Sequence, residues 1–197
     1  MAWHNFIEDD NTFAKISQKA YQHHNDMNKP DYTYLEDTEV DETLFDQVAD
    51  REYISGGTFD GKNYPPRSQT DKELAIATYQ YDHPLVQKLN KRFRNDFGYA
   101  ILIDQPPGAF AVPHVDKHEW FTKHFMEHAN KEAFEPNDIF RAIIFLDDWQ
   151  LGQFFCFGNT FVKPWKKNTC ISFKWHVPHA TANCSYKNRK ILSYVGV

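Results

Sequence analysis

The sequence predicts a mainly β protein: a C-terminal β-barrel or sandwich with a helical and looped N-terminal part packed on it. Three observations carry this expectation. From Tyr99 onward, short β-branched and aromatic segments recur at regular intervals between turn residues, the pattern of a sandwich or barrel. Before that point the chain is polar and holds stretches whose apolar residues recur at helical spacing. A length of 197 residues gives one domain with elaborations, large enough to bury a core without staples.

The elements follow in chain order. NTFAKISQKAYQHH (11–24) reads as a short helix. EDTEVDETLFDQVAD (36–50) opens with capping chemistry and sets Leu44, Phe45 and Val48 on one helical face, so it reads as a surface helix. The Gly-, Pro- and Ser-rich stretch 51–71 reads as a loop. LAIATYQY (74–81) is a strand, and HPLVQKLNKRFRNDFG (83–98) a helix stopped by Gly98, with Val86, Leu89 and Phe93 facing inward. YAILID (99–104) is a strand closed by PPG (106–108), and FAVPHVD (110–116) is extended. RAIIFLDDW (141–149), GQFFCFGNTF (152–161), TCISFKWHV (169–177) and RKILSYVGV (189–197) complete the β set. One amphipathic segment, EWFTKHFMEHANKEAF (119–134), interrupts them as a helical insertion, with Trp120, Phe121 and Phe125 packing inward. The expected division is therefore an N-terminal part over 1–98 and a β core over 99–197, together forming one structural unit.

Composition excludes several classes. Charged residues make up 25% and the mean hydropathy is -0.68, a globular profile rather than a disordered one. The net charge of -5 argues against nucleic acid as a partner. Cys156, Cys170 and Cys184 are odd in number and widely spaced, as expected of reduced thiols. With no cationic-then-apolar start and no apolar run of membrane length, a cytoplasmic protein without a membrane partner is expected.

The chemistry gathers around AVPHVDKHEW (111–120). On an extended backbone His114 and Asp116 share one face. Imidazole nitrogen and carboxylate oxygen suit a borderline divalent metal, and two histidines with one carboxylate leave open coordination positions. WHVPHATANCSYKNRKILSYVGV (175–197) offers His176 and His179 as a further histidine, then Arg189 at the start of the last strand.

With these residues the chain resembles the Fe(II)/2-oxoglutarate-dependent dioxygenases. That family has a His-x-Asp pair, a distal His some tens of residues on, and an Arg or Lys roughly ten further. Here His179 follows Asp116 by 63 residues and Arg189 follows His179 by 10. Pro107-Gly108 just upstream of His114 also fits, and RAIIFLDDW resembles a strand of the prolyl-hydroxylase-like branch.

The resemblance implies a double-stranded β-helix (jelly-roll, cupin-like) core with flanking helices. It implies Fe(II) held by His114, Asp116 and His179, with His179 preferred to His176 because small residues and then Asn183 follow it. It implies 2-oxoglutarate as cosubstrate, its far carboxylate on Arg189, with Asn183 or Arg141 as a second contact. Arg141 otherwise reads as a surface cation at a strand start. Molecular oxygen would be the partner reactant, and a peptidyl (including prolyl) or small-molecule substrate would be hydroxylated while 2-oxoglutarate is decarboxylated to succinate. No catalytic residue is implied beyond the metal centre. Because segment 119–134 leaves the barrel directly after the His-x-Asp pair, it is expected to form a lid, with His118, Glu119 or Trp120 facing substrate.

Two departures from the family pattern stand out. A Tyr before the Pro-Gly, which contacts cosubstrate in many relatives, is replaced by Asp104-Gln105. A Gly before the strand leading to the distal His is replaced by Lys166-Lys167-Asn168, where Asn168 can adopt the positive φ required. Two alternatives remain open at this point. One is a cupin-like metal-binding barrel without oxygenase activity. The other is a zinc peptidase built on His124, Glu127 and His128, which match H-x-x-E-H.

Overall fold

In a computed structural model, the described residues are 32–47, 50–55, 73–116, 121, 138–158 and 160–197. The chain order is β1 (Tyr32–Tyr34), a 3-10 helix (Glu42–Gln47), β2 (Asp50–Ser55), β3 (Glu73–Tyr79) and helix α1 (Pro84–Phe93). There follow β4 (Gly98–Gln105), β5 (Phe110–His114), β6 (Phe140–Phe145), β7 (Gln153–Phe157), β8 (Thr160–Phe161), β9 (Cys170–Phe173), β10 (His179–Asn183) and β11 (Arg189–Gly196). The strands form a seven-stranded sheet ordered β1-β9-β6-β11-β4-β3-β2 and a four-stranded sheet ordered β5-β10-β7-β8. Every pairing is antiparallel.

From β4 to β11 the chain crosses from one sheet to the other at each step except the β7–β8 hairpin. That alternation is the winding of a double-stranded β-helix, the architecture expected from the sequence. Strand parity assigns each side chain to a layer. On β6, Ala142 and Ile144 turn toward α1, where they join Leu85, Val86, Leu89, Leu192 and Tyr194 in one buried cluster. Ile143 and Phe145 turn the other way, into the space between the sheets, with Phe155, Phe157, Trp165, Ile171, Phe173 and Ile191. Arg141 shares the parity of Ile143, so it enters the barrel interior rather than solvent.

The structure corrects several expectations. Helix α1 ends at Arg94, not Gly98: Arg94 takes the left-handed conformation (φ 60°) and its cap N–H donates to Asn90 O. Gly98 instead opens β4, where a Cβ would lie 2.6 Å from the Tyr194 hydroxyl. Asn168 does adopt a positive φ, 71°, in the turn before β9. The surface helix expected over 36–50 is reduced to the 3-10 turn Glu42–Gln47. Stretch 51–71 begins not as a loop but as β2, paired in register with β3, and its remainder lies outside the described residues. Thus the N-terminal part adds to the larger sheet not only the expected strand β3 but also β1 and β2, where loop and helix were expected.

The expected helix at 11–24 lies outside the described residues, as do His124, Glu127 and His128 and nearly all of 119–134. Phe121 is described and is fully buried against Phe97 and Tyr99, with ring centroids 5.7 and 5.6 Å away. The three cysteines form no disulfide. Among the described residues no helix is long and apolar enough to cross a membrane.

Candidate metal centre and anion pocket

His179 opens β10 and Phe157 closes β7 beside it. His114 ends β5 at the backbone position paired with His179 on its other side. Cα atoms of directly paired residues lie about 4.5–5.5 Å apart, so the fold brings both histidine positions together. The register slips by one residue between His179 and Thr181, a bulge of the kind that re-aims side chains at functional sites.

The His179 ring packs on Phe157 and Phe173, with centroids at 5.9 and 5.1 Å. Its Nδ1 lies 3.3 Å from the Val177 carbonyl. A carbonyl only accepts, so Nδ1 carries a proton here, and in the neutral ring the lone pair is on Nε2, toward the site. Nε2 in turn lies 3.6 Å from Asp116 Oδ2. The same Asp116 oxygen also meets the Arg141 guanidinium, so a divalent metal held by His179 Nε2 and Asp116 would share that carboxylate with Arg141. Among the described side chains, no group of three ligating residues is assembled. His176 sits in the turn before β10, with its ring edge-on to Trp175 at 5.5 Å.

Farther along the same inner face lies a buried cation. Arg189, 1% exposed, reaches from β11 across the interior to β10 and β7. Nη1 donates to the Phe154 carbonyl at 2.8 Å and to the Ala182 carbonyl at 3.4 Å. Nη2 donates to Gln105 Oε1 and Thr181 Oγ1. Nε, also buried, has no hydrogen-bond partner. The guanidinium carbon stands over the Phe155 and Trp165 rings at 5.5 and 6.0 Å, and Trp165 Nε1 is a second buried donor without a partner. All four of the acceptors are neutral. Burial pushes the Arg189 pKa down to about 9, which still leaves the group charged at neutral pH. Thr181 and His179 are two residues apart on one strand, about 6.5 Å, so the cation and the His–Asp pair flank one short span.

The second buried arginine is differently placed. Arg141, 3% exposed, forms an ion pair with Asp116 and lies over the Phe173 ring at 4.6 Å. This overturns the reading of Arg141 as a surface cation. Its partner stands 25 residues away in sequence, so no local pattern announces the pairing. The Tyr99 phenol lies in the field of both groups. Burial holds its pKa well above the ordinary range, with Arg141 pulling it down and Asp116 pushing it up.

Asn183 is fully buried, but its amide is engaged by its own turn. Nδ2 donates to the Gln105 and Lys187 carbonyls at 2.8 Å each, and Oδ1 accepts from Ser185 N and Oγ. These bonds anchor the β10–β11 turn that presents Arg189. Sequence reasoning missed Gln105 and Thr181, which orient Arg189. Thr181 was findable, since it lies two residues after His179 and so on the same strand face. Gln105 drew notice only as a departure from the family pattern.

Fold and site together describe a jelly-roll protein with a His–Asp pair and a buried cation inside the barrel. Solved structures with that fold include the following two. One is a prolyl-4-hydroxylase from Pseudomonas putida, 12% identical, with a TM-score of 0.51 over 90% of this chain and 98% of the other. The second is an oxidoreductase of the 2-oxoglutarate–Fe(II) oxygenase family from Burkholderia pseudomallei, 12% identical, with a TM-score of 0.52 over 91% of this chain and 89% of the other. At such identity the likeness speaks to the fold. No family model and no curated protein sequence matches the chain.

Proposed function

We propose that this protein is an Fe(II)- and 2-oxoglutarate-dependent oxygenase that hydroxylates a peptidyl (including prolyl) or small-molecule substrate. The observation that carries this reading is Arg189: a buried guanidinium with only neutral acceptors, one unpartnered donor, and a His–Asp pair about 6.5 Å along the strand. A buried charge is costly unless an opposite charge completes it. A short dicarboxylate does so, with one end on Arg189 and the other toward the metal side.

In this reading His114, Asp116 and His179 hold Fe(II). The iron, once bound, supplies the activation of molecular oxygen and the oxidation of substrate that accompany decarboxylation of 2-oxoglutarate to succinate. The protein's own work is positional. Val177 fixes the His179 tautomer so that Nε2 can ligate. Gln105 and Thr181 hold the Arg189 guanidinium in place, with Nε left as the donor open to a carboxylate. Phe155, Phe157, Phe173 and Trp165 exclude water from between them.

The test is uncoupled turnover. Purified protein should release succinate and CO2 from 2-oxoglutarate only when Fe(II) and oxygen are both present, and screening peptides, amino acids and nucleotides for stimulation should then find the substrate class. Metal binding with indifference to 2-oxoglutarate would refute the reading and favour a cupin-like barrel without oxygenase activity.

A further inference from the structure

Arg141 raises a question that the proposed reaction leaves open. A site built to take a divalent cation is expected to present uncompensated negative charge. Here the Asp116 carboxylate is already paired with a guanidinium. Arg141 is no accidental neighbour: its strand parity aims it inward, it is 3% exposed, and Phe173 supports its flat face. Among the side chains whose burial is described, Arg141 and Arg189 are the only buried Lys, Arg, Asp or Glu. Among the described residues, two guanidiniums against the one carboxylate of Asp116 give this interior one net positive charge.

That balance favours an anion over a metal as the first ligand. A divalent cation entering alone meets a neutralised carboxylate and a fixed positive charge beside it. A dicarboxylate entering alone meets one uncompensated cation, Arg189, and a second guanidinium, Arg141, that shares its charge with Asp116. Once the dianion is in place the repulsion on the metal is offset, and by linkage each ligand then raises the affinity of the other equally. We infer that Arg141 is a positioning residue that couples metal binding to the dicarboxylate: paired with Asp116 beside His179, it keeps the metal-free pocket receptive to the dianion and weakly receptive to the metal alone. This rests on the metal-centre reading above. It differs from that reading in requiring an order that the ligand set alone does not impose.

Two titrations test it: Mn(II) binding followed by EPR with and without 2-oxoglutarate, and 2-oxoglutarate binding by calorimetry in the presence of EDTA. They are run on the wild type, Arg141→Gln and Arg141→Lys. The wild type should bind 2-oxoglutarate without metal and hold Mn(II) roughly 5–150-fold more tightly once 2-oxoglutarate is present, the usual range of such couplings. Arg141→Gln should take Mn(II) alone about tenfold more tightly than the wild type and lose metal-free 2-oxoglutarate binding. Arg141→Lys, which keeps the charge, should follow the wild type.

A merely structural role predicts the reverse: Arg141→Gln would bind Mn(II) no better than the wild type, which overturns the inference. So does Arg141→Lys behaving like Arg141→Gln. Should Arg141→Gln fail to fold, the wild type alone decides, because absence of 2-oxoglutarate binding in EDTA overturns the idea. If the wild type takes Mn(II) neither with nor without 2-oxoglutarate, the metal-centre reading falls and this inference with it.

Discussion

Arg141 and Arg189 occupy one barrel interior and are almost equally buried, yet they are opposites in what surrounds them. Arg141 is paired with a carboxylate, Asp116, and lies over the Phe173 ring, while its buried Nε, like that of Arg189, has no hydrogen-bond partner. Arg189 is held by two carbonyls, an amide oxygen and a hydroxyl, and keeps one donor unused. Burial alone therefore does not mark a ligand site. What marks it is a buried charge whose partners orient it without neutralising it. Arg189 meets that description, and Arg141 instead conditions the carboxylate beside it.

The largest expected effect breaks the contrast on its metal side. His179→Ala removes a proposed ligand outright. Metal affinity measured by Mn(II) EPR should fall by more than the roughly 10–100-fold loss seen when only supporting residues of a metal site are changed. His176→Ala should leave it within a few-fold. Equal losses for the two histidines would contradict the assignment of His179.

Next comes stability. If the dianion completes the charge of Arg189, 2-oxoglutarate at about 100 times its Kd should stabilise the metal-loaded fold by about 2.7 kcal/mol in thermal or denaturant unfolding. Arg189→Met should show no such gain at the same concentration. A variant still stabilised to the full extent would place the anion elsewhere.

Asn183→Ala sharpens the distinction between holding a turn and binding a ligand. It strands the carbonyl and amide partners of a buried side chain, at a cost of about 1–3 kcal/mol. The melting temperature should drop while metal stoichiometry stays unchanged. Thr181→Val is the smallest change. It removes one neutral acceptor from Arg189, worth about 0.5–1.5 kcal/mol, and calorimetry should show a correspondingly small loss of 2-oxoglutarate affinity.

Much of the barrel was legible because its strands obey simple rules. β4, β6, β7, β9 and β11 are β-branched and aromatic, bounded by turn residues, and each falls where the pattern puts it. β10 was not read as a strand, and the reason is the site itself. Its inner face carries His179, Thr181 and Asn183, polar groups where a structural strand would carry apolar ones, so the period-two signal is erased where the chemistry is concentrated. β1 and β2 escaped for a different reason: both lie at the outer edges of the larger sheet, and edge strands carry weaker apolar alternation. Gly98 misled because a glycine after a helical run reads as a stop, whereas here it clears room for Tyr194 while Arg94 supplies the left-handed cap. Of the site, the His-x-Asp pair and the spacings to His179 and Arg189 could be read in one dimension. The Arg141–Asp116 pair could not, because only folding brings β6 beside the end of β5.

The most direct measurement is a calorimetric titration of 2-oxoglutarate into Mn(II)-loaded wild type and Arg189→Met. Saturable one-site binding by the wild type, weakened in the variant by about 2–5 kcal/mol, is the predicted result for loss of a buried charge partner. Absence of binding by the wild type, or the same affinity in both proteins, would contradict the assignment of Arg189 as the cosubstrate anchor and with it the oxygenase reading.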